Sequence, residues 1–158
     1  MALKVRRVVT GHDGNGKAVV KTDEEMKHIF TSRPGALAVN VWTTDRSPAN
    51  NDGDADEGLR KVGMTVKGGT IFRVIEFAPG VQARNHRTDS IDYIVVMSGE
   101  IDMELDDSVV HLRAGDVMVQ RGTIHNWVNR GVASCTLAVI LVDAKPVEVG
   151  GRVLNAVG

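Results

Sequence analysis

Two histidines set inside a glycine-punctuated β pattern constrain this chain more than any other feature. The pattern runs from residue 80 to residue 129. Its first half is Gly80, five residues, His86, one residue, Thr88, three residues, Asp92, six residues, Gly99. Its second half is Gly115, then Gln120-Arg121-Gly122, two residues, His125, three residues, Asn129. The glycines mark tight turns, and the segments between them alternate like strands. Such a layout can point His86, Thr88, Asp92 and His125 into one concave space. Two imidazoles and a carboxylate converging there would hold a metal ion or run acid–base chemistry.

These two halves resemble the paired motifs of the cupin superfamily, G-x5-H-x-H-x3/4-E-x6-G and G-x5-P-x-G-x2-H-x3-N. The chain keeps both glycines of the first motif and its first histidine, as His86. It keeps Gly115, Gly122, His125 and Asn129 of the second. It departs at Thr88, where the family has its second histidine, and at Asp92, where the family has glutamate. Gln120 replaces the proline of the second motif, one residue earlier than the common spacing. The resemblance implies an all-β, cupin-like jelly-roll barrel (a double-stranded β-helix) as a single domain over residues 1–158, with its motif core at 80–129.

The rest of the chain agrees with that expectation. At 158 residues it suits one domain with a sizeable core, and with 4% aromatics the core must be mostly aliphatic. A net charge of −1 with no basic run argues against nucleic-acid binding. No apolar stretch approaches a membrane-spanning length, and no long apolar region follows the N-terminus, so a cytoplasmic setting is expected. The single cysteine, Cys135, sits in an apolar strand-like segment and reads as core.

Residues 4–22 read as a β-hairpin arm around the turn Gly11-His12-Asp13-Gly14-Asn15-Gly16. Thr22 with Glu25 suggests the cap of a short helix through Phe30. Residues 45–58 read as a mobile loop over the barrel mouth. Residues 65–77 supply one or two strands, broken at Gly68-Gly69, and 136–142 a strand buried on both faces. Residues 146–158 look like a tail with a short final strand. An isolated hairpin is marginally stable in water. The arm is therefore expected to pair with a sheet edge, its own or a neighbour's, which points to a homodimer.

At the site, residues i and i+2 of a strand share a face, so His86 and Thr88 point the same way. His86, Asp92 and His125 form the expected catalytic or metal-holding triad, with zinc, iron, nickel or manganese as the candidate ions. The alternative is a metal-free pocket in which Asp92 hydrogen-bonds a histidine and the pair acts as a general base. Thr88 reads as a hydrogen-bonding residue rather than a ligand. Arg73, Arg84, Arg87, Arg121 and Arg130 lie near the motifs. Of these, Arg84 and Arg121 are the candidates to grip a substrate carboxylate, and Trp127 is a candidate pocket wall. The expected function is an enzyme acting on a small carboxylate, phenol or carbonyl compound. A non-catalytic metabolite-binding protein is the competing expectation.

Overall fold

The computed structural model describes residues 3–158. The chain enters through a two-stranded hairpin, β1 (Arg6–His12) and β2 (Ala18–Glu25). There follow β3 (Phe30–Arg33), β4 (Ala36–Thr44), a single 3₁₀ turn at Glu57–Leu59, and β5 (Thr70–Phe77). The motif region supplies β6 (Ser90–Ser98), β7 (Glu100–Glu104), β8 (Val109–Arg113), β9 (Val117–Arg121) and β10 (Asn126–Val128). β11 (Cys135–Asp143) and a last hairpin, β12 (Val147–Val149) with β13 (Arg152–Leu154), complete the order. All ladders among these strands are antiparallel. This is the all-β jelly-roll barrel that the resemblance to the cupin motifs implies. Among the described residues no helix is long and apolar enough to cross a membrane.

A six-stranded sheet in the order β3-β4-β5-β11-β6-β9 curves against a three-stranded sheet, β10-β7-β8. Alternate residues of β6 and β11 point between the sheets: Ile94 and Val96 from one, Cys135, Leu137, Val139 and Leu141 from the other. Ile101, Met103 and Leu112 meet them from the smaller sheet. The segment expected to be buried on both faces is instead buried on one. Cys135, Leu137, Val139 and Leu141 are covered, while Thr136, Ala138, Ile140 and Val142 are half-exposed. An antiparallel sheet with one face on the core needs no more than that. A second, smaller core lies on the outer face of β4 and β5, where Leu3 and Met26 pack on Val39 and Val74.

The helix expected after Thr22 does not form. β2 runs on to Glu25 because β1 holds it in register, with Arg6 opposite Glu25 and Arg7 opposite Glu24. The Arg6–Asp23 ion pair reinforces the ladder at 2.8 Å, and Met26 then enters the second core. Cross-strand pairing and burial outweigh a local capping signal. Among the described residues the arm hydrogen-bonds into a sheet only with itself and pairs with no edge of the barrel. It is held instead by Arg7. That guanidinium is buried, donates to Asp56 at 2.7 and 2.6 Å, also bonds Glu24, and reaches Val41 O.

The same contact corrects the reading of residues 45–58. Asp56 caps the 3₁₀ turn, Lys21 pairs with Asp54, and Arg60 with Asp45. These residues line a groove beside the hairpin, away from the barrel pocket. It is Met64 that reaches the pocket. A run of polar residues looks mobile in sequence, but its acids are matched here by specific cations.

Gly99 shows why glycines punctuate the motif. It turns the chain from β6 into β7 at φ +74°, and a Cβ there would lie 2.5 Å from Ser134 O and 2.9 Å from Cys135 Cα. Gly99→Ala is expected to lower unfolding free energy by about 2 kcal/mol or more, from left-handed strain plus a backbone clash. Urea unfolding of the variant checks this; an unchanged midpoint would contradict it.

Candidate functional site

The two motifs meet through their histidines. His86 N donates to His125 O at 3.0 Å, and His125 N donates to His86 O at 2.9 Å, a single antiparallel bridge outside the named strands. Residues paired in this way project to the same face. The imidazole centroids accordingly lie 4.2 Å apart, tilted by 49°. Trp127, two residues beyond His125, turns its ring edge-on to His125 at 6.0 Å and stacks on Phe77 at 6.2 Å. Trp127 is thus both core and pocket wall.

Backbone carbonyls aim the rings. His86 Nδ1 donates to Arg84 O at 3.1 Å, which leaves its Nε2 lone pair free. His125 Nδ1 lies 3.0 Å from Thr123 O and 2.8 Å from Gln120 Nε2. It donates to the carbonyl in one tautomer and accepts from the amide in the other, so either tautomer finds a partner. Burial pushes both imidazole pKa values down, and the cations nearby add to the effect. For His125 the causes are burial, then His86, then Arg33 and Arg84, and together they bring it to about 4. His86 moves down through burial first, then Arg84 and Arg33. Both rings are therefore neutral at pH 7.

Asp92 does not join them. Thr88, just before β6, and Ser90 and Asp92 within it are all buried. Ser90 Oγ donates to Asp92 Oδ1 at 2.6 Å, and Thr88 Oγ1 bonds Ser90 Oγ at 2.8 Å. This chain of hydroxyls holds the carboxyl, so Asp92 hydrogen-bonds Ser90 where a histidine was expected. Burial raises its pKa, and the Ser90 bond only partly offsets that. Burial thus makes the Asp92 carboxyl a weaker acid than an exposed one.

The same geometry does not gather His86, Asp92 and His125 as one donor set. Among the described residues no three His, Cys, Asp or Glu side chains converge so as to hold a metal ion. Two imidazoles with a hydroxyl-bound third carboxyl do not fit a three-donor site. Thr88→His would supply the absent donor on the same face. It is expected to tighten zinc or nickel binding by more than about tenfold, since even losing an outer-shell partner costs a site that much. Competition against a chelator reads the difference; equal affinities would show that position 88 does not look toward the histidines.

Of the other predicted pocket residues, Thr88 and Arg84 line the cavity. Arg121 does not: it ends β9 exposed, and its neighbour Gln120 takes the inward position. Strand alternation explains the swap, because the pairing of Asp92 with Gln120 fixes the phase of β9. Asn129 braces the loop after β10, donating to Phe77 O and Ala133 O at 2.9 Å each. Cys135 is fully buried, and its thiol is pushed up to about 11 by burial, which makes it inert.

Three functional candidates, Ser90, Arg33 and Met64, escaped the sequence, and Arg73 is marked there only as lying near the motifs. Ser90 shares the parity of Thr88 and Asp92, so alternation could have found it. Arg73 shares that of Ile71, Ile75 and Phe77, all inward on β5. Arg33 and Met64 carry no local signal. With the histidines they enclose a cavity of about 60 Å³, walled by Ile75, Phe77, Leu137 and Val139.

Comparison with known proteins bears on this architecture. Residues 73–145 match the family model described as a cupin domain. The cupin-domain-containing oxidoreductase fogC of Aspergillus ruber is 36% identical over 157 residues, covering 94% of this chain and 77% of the relative. Phomopsin biosynthesis cluster protein C' of Diaporthe leptostromiformis is 34% identical, covering 96% of this chain and 85% of the relative. The cupin-domain-containing oxidoreductase virC of Hypocrea virens is 34% identical, covering 90% and 78%. A crystal structure of a cupin superfamily protein from Desulfitobacterium hafniense is similar at a TM-score of 0.49 and 14% identity, over 73% of this chain and 84% of that one. With its two motifs joined at His86 and His125 inside the barrel, and relatives that align along nearly its whole length, this chain belongs to the cupin family.

Proposed function

We propose that the barrel pocket is an active site in which the His86–His125 pair moves a proton on a small organic substrate. The observation that carries this reading is the pairing itself: two neutral imidazoles, 4.2 Å apart between centroids, in a buried pocket. Their Nδ1 positions rest on carbonyls, which frees Nε2 of His86 to accept a proton, while Nε2 of His125 in the same tautomer lies 3.3 Å from the Gln120 amide nitrogen. Arg33 and Arg84 act on both rings. Placed there, they stabilise negative charge that develops on a substrate oxygen. The reaction class is abstraction of a proton from a carbon or hydroxyl next to a carbonyl or aromatic ring, giving an enolate or phenolate. Asp92, held by Ser90, forms part of the pocket wall.

Several relatives are named oxidoreductases. An enolate or phenolate is the form of such a substrate most readily oxidised, so proton removal is compatible with those names. The test is exchange. Small carboxylic acids, phenols and carbonyl compounds that raise the melting temperature are incubated with the protein in D2O. The expected result is protein-dependent deuterium incorporation, read by NMR. Ligands that bind tightly yet neither exchange nor convert would favour the competing reading, a metabolite-binding protein.

A further inference from the structure

Three guanidiniums stand at the pocket, and two of them, Arg33 and Arg73, have no counter-charge among the described residues. Arg33, Arg73 and Arg84 all line it. Among the described residues neither Arg33 nor Arg73 has a carboxylate within 4.0 Å, whereas Arg6, Arg7, Arg60 and Arg130 all have one. Arg73 is 4% exposed, as buried as many core residues. Its Nε donates to Asn40 Oδ1 at 2.7 Å and its Nη2 to Gly63 O at 3.2 Å. Arg84 Nη2 donates to Gly158 O at 2.8 Å. Arg33 Nε is buried and has no partner, and its guanidinium lies 5.5 Å from the centre of the Phe77 ring. A buried cation left without an anion is costly. The one carboxyl that lines the same cavity, Asp92, is bonded to Ser90 instead.

The remaining Nη1 atoms of Arg73 and Arg84 share one neighbour. The Met64 sulfur lies 4.0 Å from the first and 3.8 Å from the second. A thioether is a weak acceptor, poorly suited to sit between two cations. A carboxylate in the same place would accept from both guanidiniums. We propose that the substrate is an organic acid whose carboxylate binds between Arg73 and Arg84, displacing the Met64 thioether. Its apolar body then lies against Ile75, Phe77, Leu137 and Val139, and its reacting end faces the histidines beneath Arg33. This inference names the substrate class for the proton-transfer site proposed above and rests on that reading.

The test is calorimetric binding to the full-length chain. The probes are small aliphatic, aromatic and 2-oxo carboxylates, each paired with its neutral primary amide, and sodium sulfate as a bare anion. At least one acid is expected to bind, with its amide weaker by at least about tenfold, the effect of losing one hydrogen bond between charged groups. Arg84→Gln is expected to erase the preference for acid over amide. Arg73→Lys, which keeps the buried charge but loses the fork, is expected to weaken acid binding as well. Met64→Ala is expected to bind the acid at least as tightly as the parent. Amides that bind as well as acids, or a preference that survives both arginine variants, would overturn the proposal. So would sulfate binding as tightly as the best acid, which would mark a bare anion site. Deuterium exchange separates this idea from its foundation. Exchange on neutral substrates alone would sink the carboxylate clamp and leave proton transfer standing. Arginine-dependent binding without exchange would do the reverse.

Discussion

His125→Gln is expected to slow deuterium exchange into a bound substrate by about 10²- to 10⁴-fold, the range supplied by a positioned general base. The side chain is 2% exposed, and its ring bridges Gln120, Thr123 and His86. Glutamine fills much of the space but cannot accept and pass on a proton at neutral pH. The loss should therefore fall on kcat, with ligand affinity retained within a small factor. A bound anion also alters the base. Burial and then His86 hold the His125 pKa down in the free pocket, and Arg33 and Arg84 add a smaller part, so a carboxylate that offsets the arginines raises it by that part, toward the range where a general base works best. The acid limb of the pH profile should accordingly lie higher for kcat than for kcat/KM. Exchange in His125→Gln at close to the parent rate, in protein shown to be folded, would remove His125 from the reaction.

The same burial makes the fold sensitive to acid. In the unfolded chain His125 titrates near its ordinary 6.5, and in the folded chain near about 4. Between those values the unfolded state binds more protons, so acidification favours unfolding. The stability that His125 contributes is present above pH 6.5 and is lost as pH falls toward 4. The full loss is roughly 3 kcal/mol by linkage. His86, shifted in the same direction, adds to it. Asp92 has the opposite sign: its raised pKa stabilises the fold at low pH, and that contribution fades as pH rises through its folded value. Urea unfolding of the parent and of His125→Gln from pH 7 to pH 4 isolates the histidine. The parent should lose more stability than the variant; parallel curves would contradict a depressed His125 pKa.

Local rules pointed to a sandwich or barrel, and the resemblance of the two motifs narrowed that to the jelly roll with its two histidines. Alternation in β7 and β8 and the glycine at the end of β6 are properties of a few adjacent residues. They made the strands at 101–105 and 109–113 and the turn at Gly99 readable without a structure, and the spacing around them placed His86 and His125 in one space. Tertiary structure decided what surrounds those rings. The pairing of β9 with β6 turned Gln120 inward and Arg121 out, a one-residue phase that the altered second motif left open. The order β4-β5-β11-β6 brought Arg73 to the same cavity as Asp92, and the connection before β5 laid Met64 between Arg73 and Arg84. A hydroxyl chain claimed the Asp92 carboxyl that the motif had offered to a metal. Strand period and turn geometry are set by neighbours in sequence. Charge partnership, burial and donor convergence are set by neighbours in space, which only the closed barrel brings together.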